Sequence, residues 1–433
     1  MRQQKWYVHL REKFWFVPSI YAVFSLLAIS LISYLISLVP PGWYIQAPGF
    51  LPITISTANY LYSSLITALL TMTSVSFSSV MVVLTTYSTQ FTPRALQDFM
   101  QSRITQHVLG VFTFGFIFSL VNLILLSPTD SNHLFMPLIM VMVSIVCLGA
   151  FILFIYHSTK YVQVNHLIGK IRNDASQAIE EAYHLPHLNA YSEWENPIPE
   201  EEPNVVYAQK SGYTQLLELQ NIVNWASRYD LRVESLIQVG HYVHKGEPIF
   251  RFWPGDAEPD VAQLREFLLV GNERSNAQDI EFSMQKLVDI AVRAISPSVN
   301  DPHTALNCIN RQAALLAEIS IRHESLTYFA DNDGELRFIL YPISFRSYLH
   351  GNFFQIRMYG KDDVSVIGGC IDALTVVAQT GRNTVHDDLR SFFDYMKEAI
   401  DEDKLSQWDY DYWQERLRRF EVELEGEDHV YQV

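Results

Sequence analysis

The chain has 433 residues, 49% of them apolar, and a formal net charge of −16 at pH 7. That length exceeds one ordinary domain, and such acidity excludes a nucleic-acid partner, which needs a basic footprint. The charge is also unevenly placed: residues 1–159 carry six basic and three acidic side chains (+3), and residues 160–433 carry 25 basic and 44 acidic (−19). An apolar, slightly basic membrane part therefore precedes an acidic soluble part. The cysteines, Cys147, Cys308 and Cys370, are too far apart for zinc-ligand spacing and suit a reducing compartment.

Basic residues crowd Met1 to Lys13, ahead of an apolar run from Phe14 to Val39 that ends in Pro40-Pro41-Gly42. The run outlasts a signal-peptide core and shows no cleavage pattern, so it reads as a retained anchor. Four transmembrane helices are expected within residues 1–159, over about 14–39, 60–90, 108–126 and 135–156, each long enough to span a bilayer core. The connector from Pro40 to Ala58 has no charge and is rich in aromatic residues, which suits the interface. After the second span, Thr92-Pro93 reads as a cap and first helical turn. Leu96, Phe99, Met100, Arg103 and Ile104 then predict a short amphipathic segment at the membrane surface. Lys and Arg occur at the N-terminus, beside Arg94 and Arg103, and from Lys160 onward, and are missing from the other two loops. The positive-inside rule then places both termini in the cytoplasm.

The second span carries Ser64, Thr67, Thr71, Ser74, Ser78, Met81, Thr85 and Ser88 at steps of three and four, so these side chains share one helix face. Two readings fit a hydroxyl stripe. It can pack helices, with hydroxyls bonding across the contact, or it can line a water-filled path at the axis of a symmetric oligomer. Either makes the second span central. None of the four spans contains Asp, Glu, Lys or Arg, which counts against a proton-coupled carrier.

Residues 160–204 predict a juxtamembrane helix, Val164 to Tyr183, followed by a hinge rich in Pro and Glu from Pro186 to Pro203. In that helix Leu167, Ile168, Ile171, Ala175, Ala178 and Ile179 fall on one face. Residues 205–255 predict a small β-barrel-like module. It has a helix at Glu218 to Arg228, a strand at Leu231 to Ile237 and a turn with Gly240 and Gly246 like that of biotinyl or lipoyl carriers, but no carrier lysine. His241 and His244 lack a third ligand, so no metal site is expected.

Residues 256–400 predict a mixed, mainly helical region. A helical pair spans Val261 to Ser320, with Ile280, Met284, Leu287, Ile290, Ala291 and Ala294 buried on the first helix. Ala305, Leu306, Ile309, Ala313, Leu316 and Ile319 are buried on the second. A strand follows at Leu336 to Ile343, then helices at Phe345 to Met358, Val364 to Gln379 and His386 to Ile400. Residues 401–433 read as an acidic, aromatic linker, a helix to Glu423 and a loose tail. The fold class is thus a four-helix membrane domain joined to a cytoplasmic α+β domain containing a small β module and a helical bundle.

The run from Arg274 through Asp279, Phe282, Leu287 and Asp289 to Arg293-Ala294-Ile295-Ser296-Pro297-Ser298-Val299-Asn300-Asp301-Pro302-His303-Thr304-Ala305 resembles the signature of a bacterial family. Its members are predicted four-span membrane proteins catalogued as a domain of unknown function. Gln90-Phe91-Thr92-Pro93-Arg94 and Gly212-Tyr213 match it as well, and the resemblance covers nearly the whole chain. It implies a bacterial inner-membrane protein and brings no reaction with it. At its centre the Ser-Pro-Ser-Val-Asn-Asp-Pro turn reads as a rigid helix–helix corner. Asn300 and Asp301 cap freed backbone groups there, and Arg274 and Arg293 pair with Asp279 or Asp289. The alternative is an interface or regulatory corner at which Arg293 and His303 meet a ligand or a neighbouring subunit.

No nucleophile elbow, phosphate loop, metalloprotease helix or dinucleotide fingerprint occurs. The chain is therefore expected to be neither an enzyme nor a cofactor carrier. The leading expectation is an oligomeric ion channel or passive conduit lined by the second span. Its partners are the lipid bilayer, copies of itself and inorganic cations drawn by the acidic domain. The alternative is a membrane-anchored sensor or scaffold whose cytoplasmic part binds a ligand or protein.

Overall fold

The computed structural model describes residues 15–38, 55–90, 103–125, 136–183, 188–194, 202–253, 258–275, 278–324 and 326–425. Contacts divide the chain into two compact units, Met1–His166 and Leu167–Val433.

The N-terminal unit contains α1 (Phe16–Ser37), α2 (Ile55–Gln90), α3 (Arg103–Leu125) and α4 (Met136–Val162). All four are long and apolar enough to cross a membrane. Helix α2 starts five residues before the expected span. Helix α3 already begins at Arg103, so Arg103 and Ile104 belong to a spanning helix and not to a separate surface segment. The reason is packing: Thr105 and Gln106, in that first turn, are buried. The remainder of the expected segment, Thr92-Pro93 and the loops lie outside the described residues.

Within the subunit the third span is the central one, in place of the expected second. Helix α3 packs against α1, α2 and α4, and α2 also packs against α4. Two glycines allow the close approach. A Cβ on Gly110 would lie 2.5 Å from the Tyr21 ring, and one on Gly115 would lie 2.6 Å from Cys147 Sγ. Some polar atoms inside this bundle are satisfied by backbone, while the Ser76, Thr105 and Ser158 hydroxyls are buried with no hydrogen-bond partner among the described residues. Ser25 Oγ donates to the Phe114 carbonyl at 3.1 Å, Ser119 Oγ to Gly115 at 2.6 Å and Asn122 Nδ2 to Phe118 at 2.7 Å.

The C-terminal unit opens with α5 (Val164–Tyr183), whose buried residues are the six its spacing predicts. Two sheets follow, built from β1 (Asn189–Tyr191), β2 (Asn204–Tyr207), β3 (Gly212–Leu217), β4 (Arg232–Ser235), β5 (Tyr242–Val243), β6 (Pro248–Trp253), β7 (Leu268–Gly271), β8 (Thr327–Ala330) and β9 (Leu336–Leu340). The six-stranded sheet has the order β1-β8-β9-β4-β6-β2 and is antiparallel except where β4 meets β9; the three-stranded sheet is β5-β3-β7. Helix α6 (Leu219–Arg228) lays Trp225 into a core with Val206, Val233, Phe250, Phe252, Phe329 and Phe338. Burying such side chains contributes about 1.5–3 kcal/mol each.

Residues 205–255 therefore do not close into a barrel. Strand β3 has β5 on one edge and β7 on the other, which leaves it no edge for β2. Strands β2, β4 and β6 instead join β8 and β9 from far along the chain and β1 from the expected hinge. The short helix α7 (Val261–Glu266) and β7 also stand where a continuous helical pair is expected.

Helices α8 (Ile280–Ala294), α9 (Pro302–Arg322), α10 (Phe345–Gly360), α11 (Val364–Thr380), α12 (His386–Lys397) and α13 (Gln407–Glu425) form a bundle. Helix α11 sits inside it, touching α9, α10, α12 and α13. It ends where Gly381 donates its N–H to the Val377 carbonyl at 2.8 Å. Helix α5 is pinned to α9 by Arg172 and Ser176 on Glu318, at 2.6 and 2.7 Å, and by Arg322 on Glu180 at 2.7 Å.

The glycine contacts in α3 give a direct test. Gly115→Leu should lower the thermal midpoint of the detergent-solubilised protein, by an overpacking penalty of about 1–3 kcal/mol. Gly149→Leu, where a Cβ meets nothing within 4 Å, should leave the midpoint unchanged or raised.

Candidate functional site

Three features are candidates for function: the hydroxyl face of α2, the corner between α8 and α9, and a cleft beside Asp279. On α2 the side chains buried against the subunit are Ala58, Tyr62, Leu69, Ser76, Val80 and Val83. At ~100° per residue this row lies roughly opposite the stripe. Ser64, Thr67, Thr71, Ser74, Ser78, Met81 and Thr85 are all exposed on the subunit surface; the Ser88 side chain lies outside the description. The stripe therefore faces away from the other described helices of its own subunit.

The hydroxyls on that face are of two kinds. Thr67, Thr71 and Thr85 donate to the carbonyls of Ser63, Thr67 and Met81, four residues back, at 2.8–2.9 Å. Such bonds satisfy a threonine in any solvent. Ser64, Ser74 and Ser78 have no hydrogen-bond partner among the described residues. In hydrocarbon each of these, unless turned back onto its own helix as Ser79 is onto the Val75 carbonyl at 2.9 Å, would cost about 1–3 kcal/mol.

The signature residues fall into two clusters. At the start of α8, Asp279 is 1% exposed and caps the helix by accepting from Phe282 N at 2.8 Å. Arg274 grips the same carboxylate with two bonds of 2.6 and 2.7 Å and reaches Glu281 at 2.9 Å. The turn of the three-stranded sheet comes down onto this pair. Gly240, at φ +92°, would place a Cβ 2.5 Å from Asp279 Oδ2 and 2.7 Å from Arg274 Nη2. Arg274 and Asp279 thus form the expected pair, with Glu281 and Gly240 as partners the sequence did not disclose.

The corner itself follows at the other end of α8. Ser296 Oγ donates to the Arg293 carbonyl at 2.7 Å, and Asn300 N to the Ser296 carbonyl at 2.9 Å. Asn300 adopts φ +50°, in the left-handed region that Asn tolerates better than most residues. Asp301 then caps α9, accepting from Thr304 N at 3.1 Å and Thr304 Oγ1 at 2.6 Å, with Pro302 in the first turn. These hydroxyl and amide bonds hold the Asp301 carboxyl below its ordinary range. His303 and Asn300 are exposed and Arg293 is half-buried. The corner is accounted for by its caps.

The third feature was not visible in the sequence. A cleft of about 310 Å³ with mostly apolar walls opens within the C-terminal unit, between the end of α5, the two sheets and α10. Tyr183, Phe329, Tyr341 and Tyr348 line it, beside Gln278 and Asp279. Among the described residues no three His, Cys, Asp or Glu side chains come together as a metal site.

Comparison with known proteins bears on the whole chain. A family model described as "Predicted membrane protein (DUF2254)" matches residues 11–376. Uncharacterized proteins from two strains of Mycobacterium tuberculosis and from Mycobacterium bovis are 30% identical over 316 residues, or 70% of this chain. The match spans only 60% of the length of those relatives. No solved structure matches the chain.

Two outcomes follow from the signature geometry. Gly240→Ala should lower the thermal midpoint by more than Gly246→Ala. Both glycines have positive φ, but a Cβ at Gly246 meets nothing within 4 Å; tryptophan fluorescence during heating compares them. Asp301→Ala should cost about 1 kcal/mol near neutral pH. Because the folded Asp301 carboxyl titrates below its unfolded value, its contribution is present above pH ~4 and fades as pH falls through the folded value. The gap between wild type and variant, measured by denaturation at pH 6 and at successively lower pH, should close in acid.

Proposed function

We propose, for a chain that belongs to the DUF2254 family of predicted membrane proteins, that it forms an oligomeric conduit for ions, with the hydroxyl face of α2 turned to a shared aqueous axis. The observation that carries this reading is the outward, unpartnered placement of Ser64, Ser74 and Ser78 on a helix long enough to cross a membrane. A serine facing acyl chains has only the carbonyls of its own helix to bond, whereas one facing water or a neighbouring copy gains a partner of its own. Four spans in one subunit enclose no useful pore, so the reading requires a ring of copies.

The remaining parts fit as follows. Spans whose only charged side chains, Arg103 and Lys160, stand at their ends suit a wall of hydroxyls and backbone better than an ion-paired carrier. The −19 of residues 160–433 would concentrate cations near one mouth, and the C-terminal unit would assemble or regulate the ring. Both termini lie in the cytoplasm of a bacterial inner membrane on this reading, because Lys and Arg collect on that side. No catalytic step is assigned. The rival, a membrane-anchored sensor or scaffold, is favoured by one observation, the cleft beside Asp279.

Purified full-length protein in liposomes decides. Ion flux should exceed that of empty vesicles under some condition of pH, tension or voltage. The triple variant Thr71→Leu, Ser74→Leu, Ser78→Leu should still assemble but lose flux tenfold or more. Flux never above empty vesicles removes the conduit, and unchanged conductance in the triple variant removes α2 from the path.

A further inference from the structure

The geometry points to a second, separate site: the cleft between α5, the two sheets and α10 binds a small, neutral aromatic molecule carrying a carbonyl oxygen. This goes beyond ion passage and holds for a conduit with a regulatory domain and for an anchored sensor alike.

Size comes first. About 310 Å³ is at the lower end of the range for small-molecule pockets, and the walls are mostly apolar, as such pockets usually are. The shape of the walls favours rings, because Tyr183, Phe329, Tyr341 and Tyr348 all line the cavity, and aromatic pairs gain from offset or edge contacts.

Charge is next. Among the described residues, the charged groups lining the cleft already have partners within the protein, a charged one for Arg322, Glu324 and Asp279 and a neutral one for Glu181. Arg322 holds Glu180 at 2.7 Å, Arg382 holds Glu324, and Glu181 accepts from Gln177 at 2.8 Å. Asp279 is gripped by Arg274. An anionic ligand would have to draw Arg322 away from Glu180, and a neutral one needs no such exchange.

The polar specificity comes from what is left unmatched. The two lining amides are committed to backbone. Gln278 accepts from Leu217 N at 2.9 Å and donates to the Leu217 carbonyl at 3.2 Å, and Gln238 donates to the Tyr341 and Pro342 carbonyls at 3.1 Å. The Tyr348 side chain, on a residue only 4% exposed, has a hydroxyl with no hydrogen-bond partner among the described residues. Burial pushes the Tyr183 phenol up to about 12 and raises Tyr348 well above its ordinary value. Both therefore stay protonated at neutral pH. What they can offer is a donated hydrogen bond to an acceptor such as a carbonyl.

Benzophenone, a neutral aromatic ketone that cross-links on illumination, is the probe. With the full-length protein in nanodiscs, peptides lining the cleft should be labelled saturably, as read by mass spectrometry. Tyr348→Phe, which removes only the hydroxyl, should raise the half-saturating concentration about fivefold. Thr327→Trp, at the cleft wall, should abolish that labelling while leaving the background in the spans unchanged. An excess of methyl decanoate, an aliphatic ester, should not protect the cleft. Labelling that never saturates, or that is identical in both variants, overturns the site. Equal protection by methyl decanoate overturns the aromatic assignment. A wild-type thermal midpoint for Tyr348→Phe shows that a changed affinity reports the hydroxyl and not misfolding.

Discussion

The buried carboxylate of Asp279 is the point from which the C-terminal unit is organised. One side chain ends the loop before α8, satisfies a backbone N–H of that helix and neutralises Arg274, which also reaches Glu281. The turn at Gly240 packs directly on this ion pair, so the three-stranded sheet is held against the helical bundle through a charged contact. Removing Arg274 would strand the Asp279 carboxylate in a site with almost no water, the costly way to break such a pair. This explains why the glycine has to be a glycine. The backbone conformation is left-handed, and the space where a side chain would go is filled by oxygen and nitrogen.

The N-terminal unit is governed by a different constraint, the lack of water to complete hydrogen bonds in a bilayer. Inside the bundle it is met in part, by hydroxyls and an amide bonded to helix carbonyls, while Ser76, Thr105 and Ser158 are buried without a partner among the described residues. Helix α2 meets it on only part of its outward face. Its threonines fold back on their own helix, while Ser64, Ser74 and Ser78 do not. The helix thus carries unpartnered hydroxyls on both sides, Ser76 buried within the subunit and Ser64, Ser74 and Ser78 on its outer surface, and the functional reading rests on the outward three.

Much of the helical architecture was legible in sequence because local periodicity and caps determine it. The apolar spacing in α5 named its buried face residue by residue, and Asp301-Pro302 marked the start of α9 by the physics of a helix N-terminus. Sheet topology was less legible. Asn189–Tyr191 lies in a stretch rich in Pro and Glu, yet pairs with β8, more than a hundred residues away in sequence. Leu268–Gly271 is too short for period alone to separate strand from helix. The barrel expectation failed for the same reason, since the partners of β3 and β4 include strands far outside 205–255. At the candidate sites, Arg274 and Asp279 could be paired from spacing. The tyrosines of the cleft could not, because Tyr183 at the end of α5 is far along the chain from Tyr341, just after β9, and from Tyr348 on α10.

The parallel pairing of β4 with β9 has a consequence for how the protein is made. During synthesis β4 emerges and can join β6 at once, but its other edge stays open until α8, α9 and β8 have also left the ribosome. An open edge beside Phe250 and Phe252 is an adhesive surface for any passing extended chain. The interval before β9 arrives is thus the stage at which a nascent copy is most exposed to mispairing with its neighbours, and chaperone capture would matter most then.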